Sequence, residues 1–453
     1  MADEIRFMSI CGMLGYGYAV ENLQKAIDEY KVDYFACDAG STDPGPYYLG
    51  SGNSFVKPSQ IKRDLEPALI AAVKNKKPLI IGSAGGSGAK PHVALFLDIL
   101  KEISTRNDLH FKLAVIYSDV EKETVLDALK QGRMSPCGPA PELTIEAVEN
   151  SVNIVAQVST EPIIEALKAG ADVVISGRCC DTAIFAAPAI MQGFDPGLSL
   201  HCAKIAECGC LCARPAGANA SLFATIEKDS FTVVPANETR KCLPDSVAAH
   251  SLYEQPNPNC FYEPEGKIDM DQSVFEQITE RAVKVSGTKL VEPEKPTIKL
   301  EAAKLVGYRS VTIAGTCDPL VIENLDEIEK QVRKSTEANL EGTIAPDEFS
   351  LRFMRYGLDA VTGIKLSDNL PSEVGVVIEA IAPTQKLADT VISMARSTSL
   401  HQSFDGRKST AGNFAFPFSP SDLSAGEVYE FSIYHLMETK QDECLFQLKM
   451  EEI

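Results

Sequence analysis

Three short loops, a helix turn and one basic segment carry the residue types that move protons and hold polar ligands. The first, CDAGSTDPGPYYLGSGNSF (37–55), leaves an apolar run and offers Asp38, Ser41 and Asp43 among glycines and prolines. Carboxylates in such a loop can exchange protons or accept from a substrate hydroxyl. The second, GSAGGSGAK (82–90), holds Gly85, Gly86, Ser87 and Gly88 ahead of a helix-like stretch. Backbone N–H groups there, with a helix dipole behind them, would suit an anion. The third, SGRCCDTA (176–183), brings Arg178, Asp181 and Thr182 together. In HCAKIAECG (201–209), Lys204, Glu207 and Cys208 fall three and four apart and share a helix face. There Lys204 or Glu207 could donate a proton, and Cys208 is a nucleophile only if its thiolate is stabilised. The segment DGRKSTAGNF concentrates Arg407, Lys408, Ser409, Thr410 and Asn413, a candidate anion clamp.

Each feature also has a plain structural use. Glycine makes tight turns, and aspartate and serine cap helices. A lysine and a glutamate one turn apart are more often a solvated pair, and a basic loop is often only surface.

What raises the loops above turn chemistry is their position relative to the predicted elements. Apolar runs IRFMSI, DYFAC, PLIIGS, KLAVIYS, NIVAQ and ADVVIS alternate with amphipathic, helix-like stretches. This pattern predicts an α/β fold, a doubly wound and mainly parallel sheet over residues 1–215. In such a sheet ligands sit beyond the carboxyl ends of the strands. The loops at Asp38, at Gly85–Gly88 and at Arg178–Thr182 all follow predicted strands, as does CGMLGYGYAV with Gly12, Gly15 and Gly17. That last run is G-x-x-G-x-G, not the dinucleotide order, and no lysine makes a P-loop of the second. Residues 216–350 are β-richer, with Pro-rich turns, and residues 351–453 read as a small α+β domain.

Composition narrows the partners. With 453 residues the chain exceeds one ordinary core. A formal net charge of −20 disfavours nucleic acid and anionic membranes, so an anionic small-molecule substrate would need a locally basic pocket. No apolar stretch reaches spanning length and the acidic N-terminus lacks a signal-peptide pattern, which points to the cytoplasm. The 13 cysteines form no C-x-x-C pair. They read as reduced, mostly buried thiols and not as a metal site. A homo-oligomer is the base-rate expectation.

The segments GSTDPGPYYLG, SAGGSGA, VISGRCCDTA, AKIAECG, DSVAAHSLYE, KLVGYRS and GRKSTAGNFAFPFSPSD resemble the acyclic terpene utilisation AtuA family over nearly the whole chain. The resemblance implies carbon catabolism linked to acyclic terpenes and acyl-CoA compounds. It also implies a C-terminal ferredoxin-like domain over 351–453 and a small companion protein in some members. The chain departs from the family pattern at Lys204, where a histidine is usual before E-C-G, and in the cysteine-rich CGCLCARPAG.

Three functions follow as expectations. The first is a lyase of the hydratase type acting on a small carboxylate or acyl-CoA, with CoA as part of the substrate. In it Asp38 or Asp181 is the base, Glu207 or Lys204 the proton donor, and Arg178, Gly85–Gly88 and the 407–413 loop hold the anion. The second is an NAD(P)-dependent oxidoreductase. The third is a non-catalytic subunit that binds a metabolite or scaffolds a partner enzyme.

Overall fold

The computed structural model describes residues 3–367, 369–440, 443 and 445–453. They form two compact units, one of Met1–Lys304 with Phe431–Ile453 and the other of Leu305–Glu430. No helix among the described residues is long and apolar enough to cross a membrane.

The first unit is built on a ten-stranded mixed sheet. Its centre is parallel: β1 (Glu4–Ser9), β2 (Tyr34–Asp38), β3 (Leu79–Gly82), β4 (Lys112–Tyr117) and β5 (Val173–Ser176) lie in the order β1-β2-β3-β5-β4. β2, β3 and β5 are buried along their whole length, as continuous apolar strands covered on both faces must be. Alternation sends Phe35, Cys37 and Ile81 into one core with helices α1 (Pro58–Lys74) and α2 (Lys90–Asn107). It sends Tyr34, Ala36 and Ile80 into the other, with α3 (Ala183–Met191) and α4 (Pro196–Ala206). The steps from β1 through β4 advance in one direction and keep their helices on one face. The step from β4 back to β5 reverses, and its last helix, Thr160–Lys168, packs Ile163 and Ala166 on the opposite face. The reversal sets β5 against β3, and the chain leaves the two strands toward helices on opposite faces.

The compact units do not divide at the expected boundaries near 215 and 350. Leu222–Glu227 pairs antiparallel with β1, and Ser230–Pro235 pairs with it in turn. At the other edge Gln447–Glu452 pairs antiparallel with β4. A strand's own pattern says that it needs a neighbour but does not name a partner some 200 residues away. In the first unit, Leu300–Ala303 also pairs antiparallel with Asn153–Ala156.

In the second unit, Val374–Ala382 lies between Ser350–Tyr356 and the Tyr308–Thr316 stretch of the strand Thr297–Thr316. The helices Leu325–Asn339 and Gln385–His401 pack Ile328, Val332, Val391 and Ile392 against Ile378.

Candidate functional site

The carboxyl ends of β2, β3 and β5 meet through backbone packed on backbone. A Cβ on Gly40 would stand 2.3 Å from Gly86 Cα, and one on Gly88 would stand 1.9 Å from Arg178 N. Both glycines also hold positive φ, which side chains rarely adopt. Only residues without side chains let the three loops close this far. Asp38, Ser87 and Asp181 are thereby drawn to one rim of the sheet.

Arg178 ties the loops together chemically. Its Nε donates to Glu301 Oε2 at 2.7 Å and its Nη1 to Ser83 Oγ and Asp181 Oδ1, both at 3.2 Å. Glu301 Oε1 accepts from Thr42 Oγ1 at 2.9 Å and meets Lys299 Nζ at 2.9 Å. Lys299 in turn donates to Tyr434 OH at 2.7 Å. The Arg178 side chain is 4% exposed and that of Glu301 0%. Burial penalises the Glu301 carboxylate, but Arg178 and Lys299 outweigh it and hold the group down at about 2. A buried charge pair of this kind stands only because its oxygens and protons are matched.

In front of Arg178 lies a cavity of about 570 Å³ whose wall includes Asp43, Asp181, Thr182, Lys204, Glu207 and Glu263. Asp181, its side chain 32% exposed, faces this space, while Asp38 is buried behind it. Lys204 and Glu207 project from the end of α4, which is buried from Gly197 to Ala206. They form an ion pair of 2.6 Å with each side chain 8% exposed, so the solvated reading of this pair does not apply. α4 is covered on all sides, and its last turn delivers the pair into the cavity.

Carboxyl groups outnumber the charge available to balance them. Burial raises Asp38 well above the ordinary carboxylate range. Asp181 adds to the rise, while Arg178 and the Gly40 N–H work against it. Asp38 Oδ1 is buried without a hydrogen-bond partner, so no donor there offsets the burial of a charge. Burial likewise raises Asp181, against the pull of Arg178 and Lys204. Glu207 is pushed up to about 8 by burial, with Lys204 opposing and Asp181 assisting. Glu263 is pushed up to about 7 by burial and accepts from the Cys180 thiol at 2.6 Å. Burial works against the Lys204 ammonium, but Glu207 more than compensates and Lys204 stays charged. Burial and then Glu207 push the Cys208 thiol up, so it is protonated at neutral pH and is not a ready nucleophile.

Several expected residues have other work. Gly85, Gly86, Ser87 and Gly88 are all buried and stand outside the cavity wall. They serve the close packing of the loops, which corrects the expectation of an anion cradle. Ser41 Oγ donates to Asp43 Oδ2 at 2.7 Å and turns the loop that presents Asp43. The Arg178 guanidinium holds Glu301 through Nε and Ser83 and Asp181 through Nη1, so it orients these carboxylates at the cavity wall. The N-terminal glycine turn gives the N–H groups of Gly15 and Gly17 to Asp64 Oδ2, each at 2.8 Å. A carboxylate thus takes the donors that a dinucleotide phosphate would need. Cys208 and Cys212 lie in turns flanking the isolated bridge at Cys210. Among the described residues no group of three or more His, Cys, Asp or Glu is arranged to hold a metal ion.

Arg407, Lys408 and Asn413 belong to the second unit. There Arg407 Nε donates to Asn413 Oδ1 at 2.8 Å and its Nη1 to Ser409 Oγ at 2.9 Å. Asn413 donates to the carbonyls of Ser399 and Gln402. Arg407 braces its own loop through these contacts.

Sequence reasoning missed Glu263, Glu301, Lys299 and Tyr434. One signal was available for Glu301. In TIKLEAAK it sits in a β-type run beside Leu300 and Ala302, which makes it a charged residue in an apolar stretch that needs a cationic partner. Glu263, among the prolines of CFYEPEG, carried no such signal.

A family model described as acyclic terpene utilisation family protein AtuA matches residues 57–419, so the chain belongs to that family. No curated protein and no solved structure matches the chain.

Proposed function

We propose, from membership of the acyclic terpene utilisation family as premise, that this chain is a cytoplasmic catabolic enzyme. Its proposed reaction adds water to, or removes it from, an acyl compound. The family ties the protein to a catabolic role. The acid–base reading rests on one observation: the carboxyl groups of Asp181, Glu207 and Glu263 converge on one cavity beside the Lys204 ammonium. We read the frame as a doubly wound sheet with the cavity at its switch point.

In the direction of water loss, the Asp181 carboxylate takes the proton from the carbon next to the carbonyl. Burial raises this group, and Arg178 and Lys204 beside it oppose the rise and favour its ionised form. The Glu207 carboxyl, near 8, gives its proton to the departing hydroxyl, which leaves as water while the carbon–carbon double bond forms. One acid gains a proton, the other loses one, and exchange with solvent resets both. Asp38, neutral behind Asp181, and Arg178, fixed by Glu301, act as positioning residues.

The charge balance bears on the substrate. Arg178, Lys204, Lys267 and Lys299 in the wall already face Glu301, Glu207, Asp269 and Glu301 respectively. The uncharged carbonyl of a thioester would need no cation at the reacting carbons, which is compatible with an acyl-CoA.

The test is turnover of enoyl and hydroxy acids, free and as CoA esters, by wild type and Asp181→Asn. The expected result is activity on the esters and a loss of at least about 100-fold in the variant. Undiminished turnover by Asp181→Asn would sink the assignment.

A further inference from the structure

Beside the candidate cavity lies a second and larger one, of about 910 Å³, that the proposed reaction leaves unused. Asp43, Glu254 and Tyr434 stand in the walls of both, so the two are chambers of one cleft. The reacting groups gather in the inner chamber. The outer one has apolar walls from Pro139, Ala140, Pro141, Ala147 and the Phe431 ring.

Its polar atoms are largely committed to the protein. His435 Nε2 meets the Pro141 carbonyl at 3.0 Å, and its Nδ1 accepts from Tyr434 N at 3.0 Å. The Ser432 and Ser151 hydroxyls share a hydrogen bond of 2.7 Å, and Tyr434 OH accepts from Lys299. A ligand arm rich in donors and acceptors would find little here to replace its water. Asp43, Glu142 and Glu254 in the same wall, against the one ammonium of Lys304, disfavour phosphate or carboxylate. A concave, mainly apolar chamber of this size, continuous with a polar reacting centre, has the usual division of a small-molecule site.

We infer that the outer chamber holds the non-reacting arm of the substrate, an uncharged aliphatic chain that extends past Tyr434 away from the reacting carbons. The inference rests on the reading of the inner chamber as the reacting centre. It makes Ala147 and Phe431 specificity-determining residues: a larger side chain at 147 fills the chamber, and loss of the ring at 431 removes a wall.

The experiment titrates 1-octanol, with 1-propanol as the short control, into wild type, Ala147→Phe, Phe431→Ala and Asp181→Asn by calorimetry. Octanol is expected to saturate wild type and Asp181→Asn equally and to bind at least about tenfold more weakly to the two wall variants. Propanol is expected to bind none of them measurably. Unsaturable octanol binding to wild type, or equal affinity in wild type and the wall variants, overturns the inference. A melting curve shows whether Ala147→Phe folds, and Phe431→Ala carries the comparison if it does not. Asp181→Asn separates the two readings: if it keeps full turnover while octanol behaves as expected, the acid–base assignment falls and the chamber stands.

Discussion

Replacing Glu301 with glutamine keeps the shape of the side chain and removes the anion that Arg178 and Lys299 share. Both cations then remain in the interior, with Asp181 the only other carboxylate among the described residues hydrogen-bonded to Arg178. The magnitude follows from proton linkage. Glu301 is held at about 2 in the folded protein against an ordinary 4.5. At about 1.4 kcal/mol per unit, the difference is about 3 kcal/mol, at the lower end of the cost of breaking a buried pair. The sign is that of a depressed carboxylate. The stabilisation is complete above about 4.5, declines as the pH falls, and is gone below about 2. At pH 3 about 1 kcal/mol remains. The first unit spans roughly 330 residues, so an unfolding entropy near 2 cal/mol/K per residue converts 3 kcal/mol into a melting shift of about 4 °C. Calorimetry of wild type and Glu301→Gln at pH 7 and pH 3 measures both quantities. A shift under about 1 °C at pH 7, or a gap that fails to narrow at pH 3, would refute the account of Glu301 as counter-ion to both cations. Adding Arg178→Met to Glu301→Gln is expected to restore part of the loss, because it removes one of the stranded charges.

The same geometry gives four further outcomes. The kcat/KM profile should fall on the alkaline side near pH 8 as Glu207 loses its proton, and Glu207→Gln should abolish the activity together with that limb. Glu207 is raised from its usual 4.5, so its contribution to stability declines as pH rises from about 4.5 to about 8, which pH-dependent denaturation of wild type and Glu207→Gln can compare. Gly88→Ala places a methyl group 1.9 Å from Arg178 N at a φ of +68°, and a loss of soluble protein or a melting decrease larger than that of Glu301→Gln is expected. Lys204→Met should remove the ammonium that opposes ionisation loss at Glu207 and move the alkaline limb upward, which the same pH profile reads out.

Which loops face the crevice was legible in the sequence, because a parallel strand declares itself by a continuous apolar run and its carboxyl end is simply the next residue. Asp38 and Asp181 were placed in this way, whereas Lys204 and Glu207 were paired by their spacing along a helix. The membership of Leu222–Glu227 and Gln447–Glu452 in the same sheet was not legible, because an edge strand's alternation fits many partners equally. The protonation of the site was no more visible, since Lys204–Glu207 reads identically on a solvated and on a buried helix.

The sequence alone determined an alternating α/β frame, the acidic surface, and the strand-end loops in which glycine, hydroxyl and carboxylate residues concentrate. The tertiary structure alone decided that Glu301, more than a hundred residues beyond Arg178, would neutralise it, and that the Gly85–Gly88 loop would be packed against other loops instead of open to a ligand. The physical reason is that charge compensation and desolvation depend on distance through space. A residue type fixes which proton it can carry, but only its neighbours and their burial fix whether that proton is there at neutral pH.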